Sequence, residues 1–330
     1  MPSSSRKLVF ITLMLITLIL TGCTSENEAA VSEAAIESYP NQTIELYVPA
    51  SPGGQSDAGA RVLARHMGKY MDSDFVIVNQ DAAGGALAFE NVFRAPSDGY
   101  KLLYYHQALH TSYAVGQLDY PALDMQPIGT FAGINQVFVT RADAPWDSLN
   151  ELVEVARQEP YGVLYGGQIG GTTHFMGEQL SQVADVDIKV LDVGGESDRM
   201  TALLGGQIDF VSTGIGNAIN YVNSGDFKAL AVLSEERDPL APDVPTALEQ
   251  GYDVQFPIVH TLYGPSGLPD EIVEQWNEAT VQLSEDEEYI EDLATTFQNH
   301  VLMDQVEAAT YNEEELRKAE DIAEQLFTDD

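Results

Sequence analysis

A chain of 330 residues that is 44% apolar is long enough to bury one large or two medium cores. Its 52 acids against 15 bases give a net charge of −37, a surface that repels nucleic acid and anionic lipid and so excludes roles that depend on either. A single cysteine excludes an intramolecular disulfide.

The N-terminus carries Arg6-Lys7, an apolar run from Leu8 to Leu20 and then Thr21-Gly22-Cys23. A basic start, a short apolar stretch and a small residue before the cut describe a secretory leader, and the run is short for a membrane span. Leu20-Thr21-Gly22-Cys23 is similar to a bacterial lipobox, so residues 1–22 are expected to be removed and Cys23 to be lipidated. Residues 23–40 are small, polar and acidic and read as a tether.

The first structural unit is Ile44 to Val48, a β-rich run, followed by Pro49-Ala-Ser-Pro-Gly-Gly-Gln55 and a helical pattern from Ala58 to Met71. Ser56 or Asp57 is the expected helix N-cap. A helix start beyond two glycines directs free N–H groups and the positive end of the helix dipole at one spot, which suits an anion such as a carboxylate. The same residues also fit a plain strand-to-helix turn. Further strands are expected at Phe75–Val78, Lys101–Tyr105 and Gln136–Thr140, alternating with helices as in a parallel sheet covered on its faces. Their carboxyl ends place Ser51, Gly53, Gly54, Gln55, Gly84 and the pair His106-Gln107 along one crevice.

A second block repeats this logic. Ser148 to Glu151 has capping-box spacing. Strand Val163–Tyr165 leads into Gly166-Gly-Gln-Ile-Gly-Gly-Thr-Thr173, and Ile188–Leu191 leads into Gly194-Gly195. Ile208–Val211 precedes Ser212-Thr-Gly-Ile-Gly216, and Ala229–Leu233 is a last short strand. Two anion-friendly loops on two α/β blocks suggest facing lobes. Arg199 is expected to pair with Asp198 or Glu196, Trp146 and Trp276 to pack, and the remaining histidines to be scattered. A helix starting at Pro269 and two more, near 286–297 and 305–327, close the chain.

Several segments in order, Val48-Pro-Ala-Ser-Pro-Gly-Gly-Gln-Ser-Asp57, Ala95-Pro-Ser-Asp-Gly-Tyr100, Tyr165-Gly-Gly-Gln-Ile-Gly-Gly-Thr-Thr-His174, Leu203-Leu-Gly-Gly-Gln-Ile-Asp209 and Gly264-Pro-Ser-Gly-Leu-Pro269, give the chain a family likeness. It resembles the extracytoplasmic solute receptors of tripartite tricarboxylate transporters, the TctC or Bug family. The resemblance implies a two-lobed, hinged α/β fold of the periplasmic binding protein type with two crossover strands, Gln136–Thr140 and Ala229–Leu233. It divides the chain into lobe 1, residues 41–138 plus 234–330, and lobe 2, residues 139–233.

By position it implicates Ser51, Gly53, Gly54, Gln55, Gly167, Gln168, Thr172 and Thr173 in holding a ligand carboxylate, with Gly84, His106, Gln107, Gln136, Gly195 and Thr213 around them. Relatives carry Lys-Gly where this chain has Val193-Gly194, so a basic residue for a second ligand charge is absent there. The implied function is a lipid-anchored, monomeric receptor that passes a di- or tricarboxylate to a membrane permease, without cofactor or metal.

A receptor that presents its solute to a sensor kinase would look the same in sequence. A secreted enzyme is the competing class, but no Gly-x-Ser-x-Gly elbow, His-Glu-x-x-His helix or phosphate loop is present. The acidic excess reads as adaptation to a salty or alkaline medium. Screening should relieve the self-repulsion of −37 charges. The melting temperature is therefore expected to rise from low to molar salt, and a flat or falling profile would exclude the salt adaptation.

Overall fold

In this computed structural model, residues 36, 38–81 and 85–327 are described. The leader, Cys23, most of the tether and Gly84 lie outside them. The apolar runs form strands β1 (Ile44–Val48), β2 (Phe75–Asn79), β3 (Lys101–Tyr105), β4 (Gln126–Ile134), β5 (Gln136–Arg141), β6 (Leu164–Gly167), β7 (Lys189–Asp192), β8 (Phe210–Gly214), β9 (Phe227–Val232) and β10 (Ile258–Gly264). The helices are α1 (Gln55–Met71), α2 (Ala86–Phe93), α3 (Ala108–Ala114), α4 (Leu149–Gln158), α5 (Thr172–Ala184), α6 (Glu196–Leu204), α7 (Ile215–Ser224), α8 (Asp270–Ser284), α9 (Glu287–Thr295) and α10 (Gln305–Phe327).

Two sheets result, ordered β2-β1-β3-β10-β4 and β7-β6-β8-β5-β9. Each is mixed where a parallel sheet is expected: β2-β1-β3 and β7-β6-β8 are parallel, and the remaining pairings are antiparallel. Helices cover both faces, so successive side chains feed opposite cores. In β1, Ile44, Leu46 and Val48 enter the core shared with Leu63, Met67 and Trp276, while Tyr47 joins Phe89, Leu103 and Tyr263. In the second sheet Phe138, Tyr165 and Phe210 lie in one core and Val137, Val139 and Val211 in the other. Both tryptophans pack as expected, Trp276 donating to Tyr39 Oη at 2.9 Å and Trp146 to Thr140 Oγ1 at 3.1 Å.

β4 is the strand that sequence patterning misses. It contains Pro127, Gly129 and Gly133, yet lies at the edge of its sheet, where a missing N–H and weak propensity are tolerated. The glycines have a reason: segment 299–303 runs alongside through bridges Thr130–Met303 and Gly133–Asn299. A Cβ on Gly129 would come within 2.9 Å of the Met303 carbonyl oxygen, so the backbones meet where a side chain would stand.

The lobe limits differ from those expected. β5 belongs wholly to the second sheet, so the first crossing is the single residue Asn135 between β4 and β5, and Gln136–Phe138 lie in lobe 2. The return is later than 234. Leu233, Ala247 and Val254 are buried in a lobe 2 core, and the chain rejoins the first sheet at Ile258. The physical reason is apolar: this connector has more surface to bury on lobe 2 than solvent would allow. At the other end Tyr39, expected in the tether, is buried against Trp276 and donates to the Gly99 carbonyl at 3.0 Å.

Both crossings meet at fully buried Asp238. Its Oδ2 accepts from Asn135 Nδ2 at 2.8 Å and Asn299 Nδ2 at 3.2 Å, and its Oδ1 from the Leu240 N–H at 2.8 Å. One carboxylate therefore ties three segments at the hinge.

A second charged seam joins α1 to α9. His66 is fully buried, with Nδ1 3.0 Å from Asp286 and Nε2 2.7 Å from Asp292. Burial by itself would raise the Asp286 carboxyl, but hydrogen bonds from His66, Tyr70 and the Tyr289 N–H outweigh it and hold the group at about 2. The unfolded chain then binds more protons between its ordinary value of 3.8 and about 2, so stability is present above that window and lost as pH falls through it. Thermal unfolding between pH 4.5 and 2 should show a steeper acid loss in the wild type than in Asp286→Asn; identical slopes would dismiss the linkage. His66→Ala should cost about 2–3 kcal/mol at neutral pH by denaturant titration, because two carboxylates lose their shared partner.

Candidate functional site

The turn from β1 into α1 has Gly53 in the left-handed region, φ 84°, and Gly54 extended as the helix N-cap. The cap is therefore Gly54, not Ser56 or Asp57, and it makes no side-chain hydrogen bond to the helix. Asp57 instead straps the loop from inside. It is buried and accepts from the Gly53 N–H at 2.8 Å, from Arg61 through Nε and Nη2 at 2.9 Å each, and from Asn79 Nδ2 at 2.9 Å. Burial would raise its carboxyl, but Arg61, the Gly53 N–H and Asn79 together hold it below the usual range. The N–H of Gly53 is consequently spent, while those of Gln55, Ser56 and Asp57 in the first turn have no intrahelical acceptor.

The same glycine pair recurs in lobe 2. Before α5, Gly170 is left-handed at φ 79° and Gly171 is the extended N-cap; before α6, Gly194 has φ 82° and Gly195 is the cap. α7 starts on Gly214. None of these caps has a side-chain bond, whereas the outlying α4 and α9 are capped by Ser148 and Asp286. A glycine cap leaves first-turn N–H groups for another acceptor, although Asp57 in α1 and Glu196 and Asp198 in α6 place carboxylates in the same turns.

Contacts across the interlobe cleft show which loops face each other. A Cβ on Gly214 would lie 2.6 Å from Gln55 Oε1, so the Gln55 amide spans from α1 to the start of α7. Phe297 presses on Gly216 and Gln117 on Gly170 in the same manner, at 2.6 and 2.8 Å from the added Cβ. The lobe 1 wall continues through Ser56, 2.9 Å from His260 Nε2. His260 stacks on Tyr104 at 4.9 Å between ring centroids and meets the edge of His106 at 5.4 Å. Burial pushes His106 down to about 4, and burial with the neighbouring His106 pushes His260 well below the usual histidine range. Both rings are neutral near pH 7 and offer hydrogen bonds rather than charge.

The expected residues divide into three groups. Gly54, Gln55, Gly195, Thr172 and His106 stand at helix starts or a strand end along the cleft. A second group is committed within the protein. Ser51 donates to the Asp81 carboxylate, and the Gln168 N–H donates to Thr173 Oγ1 at 2.9 Å. The Gly167 carbonyl accepts from Val193 at 2.9 Å, and Thr213 donates to Glu196 at 2.5 Å. Gln136 is buried opposite Gly214, its carbonyl accepting from Leu233 at 2.8 Å.

Gln107 forms the third group. Its amide is buried, donating to the Pro257 carbonyl and accepting from the Val259 N–H at 3.2 Å, so it fastens the returning strand, and it lines a cavity shared with Gln179 and Gln182 of α5.

Sequence reasoning missed His260 and Gln298, which donates to the Gln55 carbonyl at 2.9 Å. Both come from the far end of the chain, 204 and 243 residues from their partners Ser56 and Gln55, and carry no local motif. Arg199 also departs from expectation. It is buried, donates through Nη1 to the Gly194 carbonyl at 2.9 Å, and pairs with neither Asp198 nor Glu196.

Comparison with known proteins agrees with this architecture. Residues 59–327 match the model of the tripartite tricarboxylate transporter family receptor. A curated relative, the UPF0065 protein in the TAR-I ttuE-ttuC' intergenic region of Agrobacterium vitis, is 29% identical over 269 residues, covering 79% of this chain and 77% of that protein. Protein BugT of Bordetella pertussis is 27% identical over 66% of this chain and 68% of its own. Among solved structures, a TctC solute-binding protein from Polaromonas superposes with a TM-score of 0.75 at 25% identity, covering 87% of this chain and all of that one, 100%. MatC from Rhodopseudomonas palustris with bound malate gives 0.73 at 27% identity, covering 86% and 100%. The chain belongs to the tripartite tricarboxylate transporter receptor family.

Proposed function

We propose that this receptor captures a small organic carboxylate, of the di- or tricarboxylate type, between its lobes outside the cytoplasm and delivers it to a membrane permease while tethered through a lipid on Cys23. The observation that carries the reading is the set of glycine-capped helix starts facing the cleft, α1 from lobe 1 and α5, α6 and α7 from lobe 2. Their first-turn N–H groups suit a carboxylate, and neutral His106 adds a polar group beside them without the cost of a buried charge, while buried His260 backs Ser56. MatC with its bound malate supports the ligand class. The lipobox-like segment supports the anchor.

Capture works by differential affinity. In the closed form N–H groups from both lobes reach the ligand together, so the ligand shifts the open-closed balance by what it gains only on closure. Asp57 straps the β1–α1 loop from inside, which keeps its donors aimed before the ligand arrives, while Asp238 ties the segments about which the lobes close. A permease can then distinguish the closed, loaded form by shape.

A thermal-shift screen in high salt over mono-, di- and tricarboxylates and acidic amino acids should find a ligand whose presence at a hundred times its dissociation constant adds about 2.7 kcal/mol. No shift from any of them would overturn the carboxylate assignment. Gly195→Ser tests the helix starts directly. The position is extended, φ −68°, and an added Cβ would meet only Asp198 Oδ2 at 3.9 Å. A serine there should cap α6 itself, hold or raise stability by a few tenths (~0.3 kcal/mol) and weaken binding at least about tenfold by calorimetry, since the hydroxyl takes the N–H the ligand needs. Unchanged affinity would exclude α6 from the site.

A further inference from the structure

Arg199 lies in the first turns of α6, its N–H bonded to the Gly195 carbonyl at 3.0 Å, and its side chain is 6% exposed. The guanidinium has five donors and cannot lose its proton. Nη1 reaches the Gly194 carbonyl at 2.9 Å, while Nε is buried without any partner. No described carboxylate forms an ion pair with it. Of the two acids in the first turn of α6, Glu196 is held by Thr213 at 2.5 Å, and Asp198, the residue before Arg199, forms no ion pair with it.

This arrangement is expensive for an empty protein. A buried cation without a counter-charge costs several kcal/mol, and its place near a helix N-terminus adds the unfavourable end of the dipole. The first-turn acids Glu196 and Asp198 temper the dipole without pairing with the guanidinium, and an anion brought from outside would meet it directly. The location is right for it. The Gly194 carbonyl belongs to the β7–α6 loop, which is bonded to Gly167 of the neighbouring β6 through Val193 at 2.9 Å. Gly167 heads the loop to α5, and Gly195 caps α6, so the guanidinium sits under the edge where two uncapped helices begin.

We propose that Arg199 receives a second carboxylate of the ligand and is the residue that selects dicarboxylates over monocarboxylates. It takes the part that Val193 cannot play, with the charge supplied from the helix behind the loop instead of from the loop. The assignment rests on the carboxylate-receptor reading above. One carboxylate is held by the glycine-capped helix starts, and the other meets a planar fork able to bind it through two parallel hydrogen bonds.

Calorimetric titration of the full chain with unbranched dicarboxylates and with monocarboxylates of matched length tests this. The wild type should prefer the dicarboxylate by at least about tenfold, as expected for a desolvated charge-assisted pair. Arg199→Gln should lower dicarboxylate affinity about 10- to 100-fold and leave the monocarboxylate within about twofold, while Arg199→Lys, which keeps the charge but not the fork, should fall between.

Loss of affinity for both ligands alike in a folded Arg199→Gln protein, or for neither, would overturn the assignment and leave the receptor reading intact. A wild type that binds no carboxylate at all would remove both. If Arg199→Gln does not fold, the wild-type ratio decides together with Arg199→Lys: a preference under about twofold, or one that the lysine leaves unchanged, overturns the proposal.

Discussion

Every helix begins with N–H groups that its own backbone cannot satisfy, and this protein leaves that demand open where its lobes face each other. Serine or aspartate meets it at α4 and α9 on the outside. At α1, α5, α6 and α7 it falls on glycine, which offers no side-chain acceptor. Before α1, α5 and α6 a left-handed glycine precedes the cap and turns the chain sharply into the helix. The cleft is thus lined by backbone donors, a sound arrangement for an anion in a chain so acidic.

The donors are useful only if they stay in place, and buried carboxylates keep them there. Asp57 spans loop, helix and β2 through Gly53, Arg61 and Asn79. Asp238 binds the two interlobe crossings and the 299 segment at one point. The first crossing is only Asn135, and each sheet rests on its own pair of cores, an arrangement that would confine bending to a short length of chain. Apolar contact adds a rim to the hinge, with Phe175 of lobe 2 packed against Ala319 and Ala323 of α10.

Charge acts on two length scales. The net charge of −37 spreads over the surface and is screened within about 8 Å at physiological ionic strength. Inside the cleft the fixed dipoles, and Arg199 beneath them, act at hydrogen-bond distance where salt does not reach. Long-range repulsion and short-range capture of an anion are therefore compatible.

Much of this was legible in the residues. The short apolar runs of β1 and β3, the four-residue spacing in α1 and the glycine pairs before α1, α5 and α6 are local patterns, because strand propensity, helix faces and glycine's left-handed backbone are set by near neighbours. The family likeness followed from the order of those patterns. β4 was hidden, since its glycines answer to segment 299–303, nearly 170 residues away.

His260, Gln298 and Asp238 were hidden for the same reason, their partners lying on other elements. Ser51, Gln107 and Thr213 carried suitable chemistry, but only the folded chain shows their hydrogen bonds taken by Asp81, the returning strand and Glu196. Sequence alone determined where donors and turns would arise. Tertiary structure decided which of them remain unpartnered, because a hydrogen-bonding group is free or spent only once the distant chain has packed around it.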